Sequence, residues 1–298
     1  MPMKRDAKER VVDWLLVALM VLPFVLSMTL KVLLKPAGEG ISITGAQVYF
    51  TIPMPVMDLP ITESQVNSLM VVLSILGLCL YLTHGISVAH SKRQIVAEWI
   101  VEKVQNMVNS NMGAYFSAFA PFIAGIMFIS AFSSLSSLLG LFPPTSDMNI
   151  VAGWAILVFV LITYYKLKGG LLPYVKGFFE PVFIFAPFNI IGEVATPVSM
   201  SFRHYGNVLS GMVISTLVAY ALQTLSHMLL GWLPGVLGQF PFLQVGLPAI
   251  LSLYFDIFSG LMQAFIFALL TTIYISTGFP QEEYERRKAK RKKALHTA

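Results

Sequence analysis

An arginine stands at Arg203, inside a mostly apolar stretch that runs from Phe188 to about Leu225. Placing such a charge at the centre of a spanning helix costs at least about 2.5–3.5 kcal/mol. A chain that keeps it must compensate it or use it. At helical spacing Thr196, Ser199, Arg203, Asn207 and Ser210 fall in one continuous polar stripe. A structural arginine, snorkelling to a headgroup or paired within its own bundle, is the alternative. Its distance beyond the last acidic residue, about ten positions at about 1.5 Å each, argues against snorkelling. A second stripe lies in the last apolar stretch, where Ser252, Asp256, Ser259 and Gln263 follow at i, i+4, i+7 and i+11, with Leu253, Phe258, Leu261 and Phe265 beside them. Two helices thus present polar faces in an apolar setting, and a space between such faces admits water. Four ionisable groups stand in or beside these stretches: Glu193, Arg203, His204 and Asp256.

The depths of these groups suggest what they do. If the two stretches run antiparallel, Glu193 lies about 15 Å to one side of Arg203, and Asp256 lies toward the other side. Gln263 then sits about 10 Å deeper than Asp256, level with Arg203. One carboxylate near each aqueous face, with a fixed positive charge between, is a layout for two offset ion paths separated by an electrostatic barrier. The competing reading makes Glu193 and Asp256 internal partners of Arg203. Glu193 is read either as a relay or as a helix-start carboxylate at the positive end of the dipole.

The elements that must position these residues are membrane spans. Hydrophobic residues make up 56% of the 298 and charged residues 12%, about half the usual share for a soluble domain. The chain is therefore expected to be an all-α integral membrane protein with about six spans: Trp14–Leu34, Val66–Val88, Phe116–Leu141, Ile150–Tyr165, Pro187–Leu225 and Val245–Ser276. The last two exceed what one crossing needs, so they are expected to be long, tilted helices forming a hairpin. The third and fourth, joined through Pro143-Pro144, are expected to pair as a hairpin of their own. The organisation reads as an N-terminal membrane anchor over 1–40, an extracytoplasmic segment and second span over 41–90, and an amphipathic cytoplasmic helix over 91–112. A membrane domain over 113–280 and a basic cytoplasmic tail over 281–298 complete it. A cleaved signal peptide is the alternative for the first segment, but its run of about 20 apolar residues is long enough to span.

Orientation follows from the basic residues. With the N-terminus inside, all of the 20 Lys and Arg except Lys31, Lys35 and Arg203 fall on the cytoplasmic side. In Ser91–Val108, the residues Ile95, Val96, Trp99, Ile100, Val104 and Met107 keep helical spacing opposite a charged face, as suits a helix lying on the membrane surface or on a partner. The net charge of +5 comes from span flanks and gives no sign of nucleic acid. Cys79 is the single cysteine, so no disulfide forms within the chain. His84 and His227 read as span-end residues. No phosphate-binding glycine loop and no Cys/His cluster with metal spacing is present, so neither an ATP site, a metal nor a cofactor is expected.

The run Pro197-Val-Ser-Met-Ser-Phe-Arg203-His-Tyr-Gly206-Asn207 resembles the signature Pro-[Ile/Val]-Ser-Leu-x-x-Arg-Leu-Phe-Gly-Asn of subunit a of the F-type ATP synthase. The block Gln263-Ala-Phe-Ile-Phe is similar to that family's final-helix motif, and Leu139-Gly-Leu-Phe-Pro-Pro144 to its connection between the third and fourth spans. The resemblance covers about Ser91 to Thr277. It implies a stator in a bacterial cell membrane that guides H+, or in some members Na+, to and from the carboxylates of a rotating subunit c ring. A peripheral-stalk subunit b and membrane lipids are further implied neighbours. By position, Arg203 matches the essential arginine facing the ring, Asn207 and Gln263 the polar lining, and Asp256 the outer half-channel residue. Glu193 is a candidate for the inner path, and His204, Ser199 and Tyr274 are auxiliary candidates. The chain departs from the signature at His204-Tyr205, where Leu-Phe is usual, and at Met212, where many members carry an acidic residue. A stand-alone secondary transporter that binds an anionic substrate at Arg203 is the alternative, although no internal repeat supports it. A structural subunit with a vestigial charge is a third.

Overall fold

The computed structural model describes residues 7–34, 45–55, 57–86, 92–180, 182–233, 240–244, 246–282 and 284–286. Helix α1 covers Ala7–Leu33, and a short antiparallel hairpin of β1 (Val48–Ile52) and β2 (Leu59–Thr62) leads into α2, Glu63–Thr83. There follow α3 (Lys92–Met112), α4 (Ala120–Leu135), α5 (Met148–Lys168) and the short α6 (Leu171–Phe178). Helix α7 runs unbroken from Ala186 to Leu230. The last stretch comprises α8 (Leu247–Ser252), a π-helical segment Leu253–Ser259, and α9 (Gly260–Gly278). Six helices among the described residues are long and apolar enough to cross a membrane, so the chain is an all-α integral membrane protein. Most of the tail over 281–298, and residues 35–44 at the first boundary, lie outside the described residues.

Span ends differ from expectation by a few residues, as capping chemistry explains. The second span starts at Glu63, where Thr62 and Gln65 close a capping box, and it ends with His84 as C-cap. His227 likewise stands in the last turn of α7. Asp147 caps α5 by accepting from the Asn149 amide at 3.0 Å.

The expected hairpin of the third and fourth spans is not how those helices pack. Helix α9 lies between α4 and α5 and is the main neighbour of α4, while α5 packs chiefly on α7. The cause is the small-residue face of α9. A Cβ on Gly260 would stand 2.5 Å from Ser134 Cβ, and Ala264 and Ala268 are buried, so α9 approaches closely enough to wedge between the two. The core is made of Val104, Val108 and Met112 from α3, Ile123 from α4, Val158 and Ile162 from α5, and Phe267, Ala268 and Ile275 from α9. On α3 only the second half packs in this way; Ile95, Val96 and Trp99 remain exposed. Helices α1 and α2 form a pair at the side, in contact where Gly77 meets the backbone of Met20. Arg93 ties them to α3, with two 2.7 Å bonds to Asp13 and its guanidinium 4.0 Å over the Tyr81 ring.

Candidate functional site

Helix α7 is the element that presents the arginine. Its 45 residues make a rod of about 68 Å, so lying wholly within a ~30 Å hydrocarbon layer requires a tilt of about 60° from the normal. Only 6% of its apolar window is buried, less than in any other span, so one whole side of α7 stands open. Arg203 emerges exposed on the same helix face as Ser199, Ser210, Ile214 and Leu217, which are exposed too. It has no hydrogen bond or ion pair among the described residues. Glu193 and Asp256 are therefore not its internal partners. Ser199 is exposed one turn before it on the same stripe.

Two contacts fix the register of the last stretch against α7. Phe255 packs tightly on Gly211, where an added Cβ would stand 3.0 Å from its side chain, so the glycine lets the helices come close. One turn along, Ser259 Oγ donates to Asn207 Oδ1 at 3.0 Å. Extending that antiparallel register by one more turn of helical rise puts Gln263, which is buried, opposite Arg203. Asp256 lies in the middle of the π-helical segment, half-buried, facing the hydroxyls of Ser137 and Ser252. π turns add a residue to the helix and recur at functional sites. Ser252, Asp256, Ser259 and Gln263 all stay off the exposed surface, while Leu253, Phe258, Leu261 and Phe265 are exposed.

Glu193 belongs to a separate polar centre. Its carboxylate accepts from Lys166 Nζ at 3.0 Å and from Tyr174 Oη at 3.1 Å. It stands in the second turn of α7, beyond the first-turn amides, so it is no cap. Burial, followed by the bond to Glu193, pushes the Tyr174 phenol up to about 12, so it remains a neutral donor at physiological pH. The group opens on a cavity of about 610 Å³ whose lining includes Asn189, Glu193 and Thr196. A second cavity of about 200 Å³ shares Lys166, Glu193 and Thr196 with it and reaches Tyr274. The sequence reading used Lys166 only as a flanking charge; its position one α5 turn from the Gly169-Gly170 break was the signal that it could reach α7.

His204 is fully buried although Arg203 beside it is exposed, because consecutive helical residues point about 100° apart. Its Nε2 lies 3.2 Å from Ser130 Oγ, and Trp154 and Phe267 meet the ring edge-on at 6.1 and 5.4 Å. Its Nδ1 has no hydrogen-bond partner among the described residues. The Oγ atoms of Ser133 and Ser134 are also buried without partners. An unsatisfied buried polar atom costs about 1–3 kcal/mol. Ser130, Ser133 and Ser134 share one face of α4, and Ser137 follows on that side in the 3-10 turn Ser136–Leu139.

At the far end of α4, Lys31 bonds the Gly140 carbonyl at 2.8 Å and Glu63 at 3.1 Å. Glu63 also accepts from the Phe142 amide at 3.3 Å, Asn67 donates to the Phe142 carbonyl at 2.9 Å, and Ser64 donates to Asp147. These bonds tie the connection between α4 and α5 to the first two helices. Among the described residues no cluster of His, Cys, Asp or Glu has the makings of a metal site.

A multi-pass α-helical membrane protein that carries an unpaired arginine on an open helix face, with polar centres to either side of it, belongs to the ion-translocating class. The family model of the ATP synthase A chain matches residues 65–276, and the chain belongs to that family. It is 31% identical to ATP synthase subunit a of Bacillus pumilus over 235 residues, covering 73% of this chain and 93% of that one. Subunit a of Bacillus subtilis is also 31% identical, over 233 residues, 73% of this chain and 93% of its own. The subunit a of Propionigenium modestum described as sodium ion specific is 26% identical over 274 residues, 81% of this chain and 88% of its own. The protein is thus a non-catalytic, multi-pass membrane subunit of the F0 sector of an ATP synthase, with a stator role in ion translocation.

Proposed function

We propose that this subunit provides two offset half-channels, one reaching Arg203 from the Glu193 side and one from the Asp256 side, and that the open face of α7 lies against the rotating subunit c ring. The observation that carries this reading is Arg203 itself, exposed and without a hydrogen bond or ion pair among the described residues, on a side of α7 that they leave open. A permanently charged guanidinium there attracts the ionised ring carboxylate and favours release of its ion. The same charge repels a cation passing directly from one half-channel to the other, so ion flow has to accompany rotation.

In this reading Glu193, with Lys166 and Tyr174, relays ions on the cytoplasmic side through the two cavities, and Tyr274 lines their inner end. Asp256, Asn207 and Gln263 line the outer path, and Ser199 borders Arg203. Both termini face the cytoplasm in this reading, which the bias of Lys and Arg toward that side supports. Residues 1–40 form the anchor, and the exposed half of α3 within 91–112 lies on lipid or on subunit b. The ion is H+, with Na+ the alternative.

Gentle detergent purification of a tagged chain tests the assembly. Ring, stalk and catalytic-head subunits should accompany it, whereas recovery of this chain alone from intact membranes contradicts the proposal. ATP-driven acidification of vesicles that is insensitive to added Na+ identifies H+, and a requirement for Na+ identifies the alternative.

A further inference from the structure

The hairpin between the first two spans carries an apolar face that the described residues leave open. Phe50 pairs with Ile61 and Ile52 with Leu59, so these four side chains share one face of the two-stranded sheet. Phe50, Ile52 and Leu59 are exposed and Ile61 is half-buried. Met54 and Met57, in the turn, extend the patch, Met57 with 81% of its surface free. The preceding Tyr49 turns inward instead: its hydroxyl is buried, and burial, with Glu63 nearby, pushes the phenol up to about 12. Asp58 is the only charged residue in 45–62. Strand β2 runs into α2 with no residue between, and the Glu63 amide donates to the Gln47 carbonyl at 2.8 Å, so both strands are held at the end of the second span. Lys31, 3.1 Å from Glu63, holds the last turn of α1 at the same level, where Val32 and Leu33 are exposed. The hairpin therefore leaves the bundle at the membrane surface.

We propose that this hairpin lies along the bilayer surface, with Phe50, Ile52, Met57 and Leu59 sunk into the boundary between headgroups and acyl chains, as a lipid-binding foot for the α1–α2 pair. An upright hairpin would hold Ile52 and the two methionines about 17 Å out in water, since five strand residues rise about 3.3 Å each. Laid flat, it removes the same apolar surface from water, and acyl chains accept it without needing polar partners. Strand addition by a second copy or another subunit is opposed by the chain itself. Pro60 in β2, and Pro53 and Pro55 just beyond β1, have no amide N–H to offer an added strand. One charge in the segment also leaves little for a charged partner to pair with. Helix α2 packs on α1, α3 and α4, so the hairpin belongs to a different side of the bundle from the Arg203 face of α7. The site is thus separate from the ion path and adds a lipid contact to it.

The test uses the complete complex in vesicles of phosphatidylcholine and phosphatidylglycerol. Cys79→Ser removes this chain's native thiol. In that background Phe50→Cys carries an environment-sensitive fluorophore, and the Cys79→Ser complex labelled in parallel supplies the blank. Phosphatidylcholine with a nitroxide near the headgroup end of its acyl chain should quench the label at 50 by about half or more, and iodide on both sides of the membrane should quench it much less. A label at Thr51→Cys, which points to the opposite face, should show the reverse order. Met57→Cys, at the exposed turn, decides the matter should Phe50→Cys fail to assemble. Labels at 50 and 57 quenched more by iodide than by the lipid nitroxide overturn the proposal. Labels shielded from both quenchers overturn it too, because a protein partner then covers the patch. The nitroxide is present in both leaflets and ion conduction is not measured, so the outcome depends neither on the orientation of the chain nor on the half-channels.

Discussion

Replacing Gly260 by alanine tests the packing that places the last helix. The added Cβ would stand 2.5 Å from Ser134 Cβ and 2.9 Å from its Oγ. Carbon atoms in good contact are about 3.5–4.0 Å apart, so α4 and α9 would have to separate by about 1 Å. Overpacking of that kind costs about 1–3 kcal/mol. Alanine recovers up to about 1 kcal/mol through its better helix propensity. The net expectation is a loss of about 1–2 kcal/mol, read as a lower midpoint for heat dissociation of the purified complex in detergent. Ser134→Gly removes both crowded atoms, so the double variant should regain more than half the loss, a coupling expected of residues in direct contact. Gly125→Ala on the same α4 is the control: nothing lies within 4 Å of its Cβ, and stability should hold or rise slightly. A Gly260→Ala variant as stable as wild type, or one that Ser134→Gly fails to rescue, would refute the wedge of α9 against α4.

Glu193→Gln should assemble fully yet conduct about threefold to tenfold less per complex, since the amide keeps the bonds to Lys166 and Tyr174 but cannot carry a proton; a loss of assembly with unchanged flux per complex would make the residue structural. Asp256→Asn should slow flux more than Asp256→Glu does, and a cysteine at 256 should react with water-soluble thiol reagents added on the outer side. An inert cysteine in an assembled complex would mean that no aqueous path reaches the π-helical segment.

The fold was legible where hydrophobic length decides it. Six spans follow from apolar runs alone, because the bilayer fixes how long each must be. What lay beyond reach was which helix each span touches, since in lipid the apolar residues carry no preference and small residues set the contacts. Gly260, Ala264 and Ala268 decided that α9 separates α4 from α5, and nothing in a hydropathy profile distinguishes them from lipid-facing positions. At the site, Arg203, Asn207 and Gln263 announced themselves as polar residues in apolar runs, and the antiparallel register followed from helical rise. The Lys166–Glu193–Tyr174 centre did not, because it joins residues from three elements. The π-helical turn around Asp256 was also hidden, since the spacing argument assumed 100° per residue throughout. His204 could be read as titratable, but that it points away from Arg203 into a serine-lined interior needed coordinates.

The most direct test of the central claim is ATP-driven ion pumping by vesicles holding the complete complex with Arg203→Ala. The account predicts a complex assembled in normal amount that hydrolyses ATP without building a gradient, with Arg203→Lys only partly restored because lysine lacks the delocalised, permanently charged fork. Pumping at the wild-type rate by the alanine variant would contradict it.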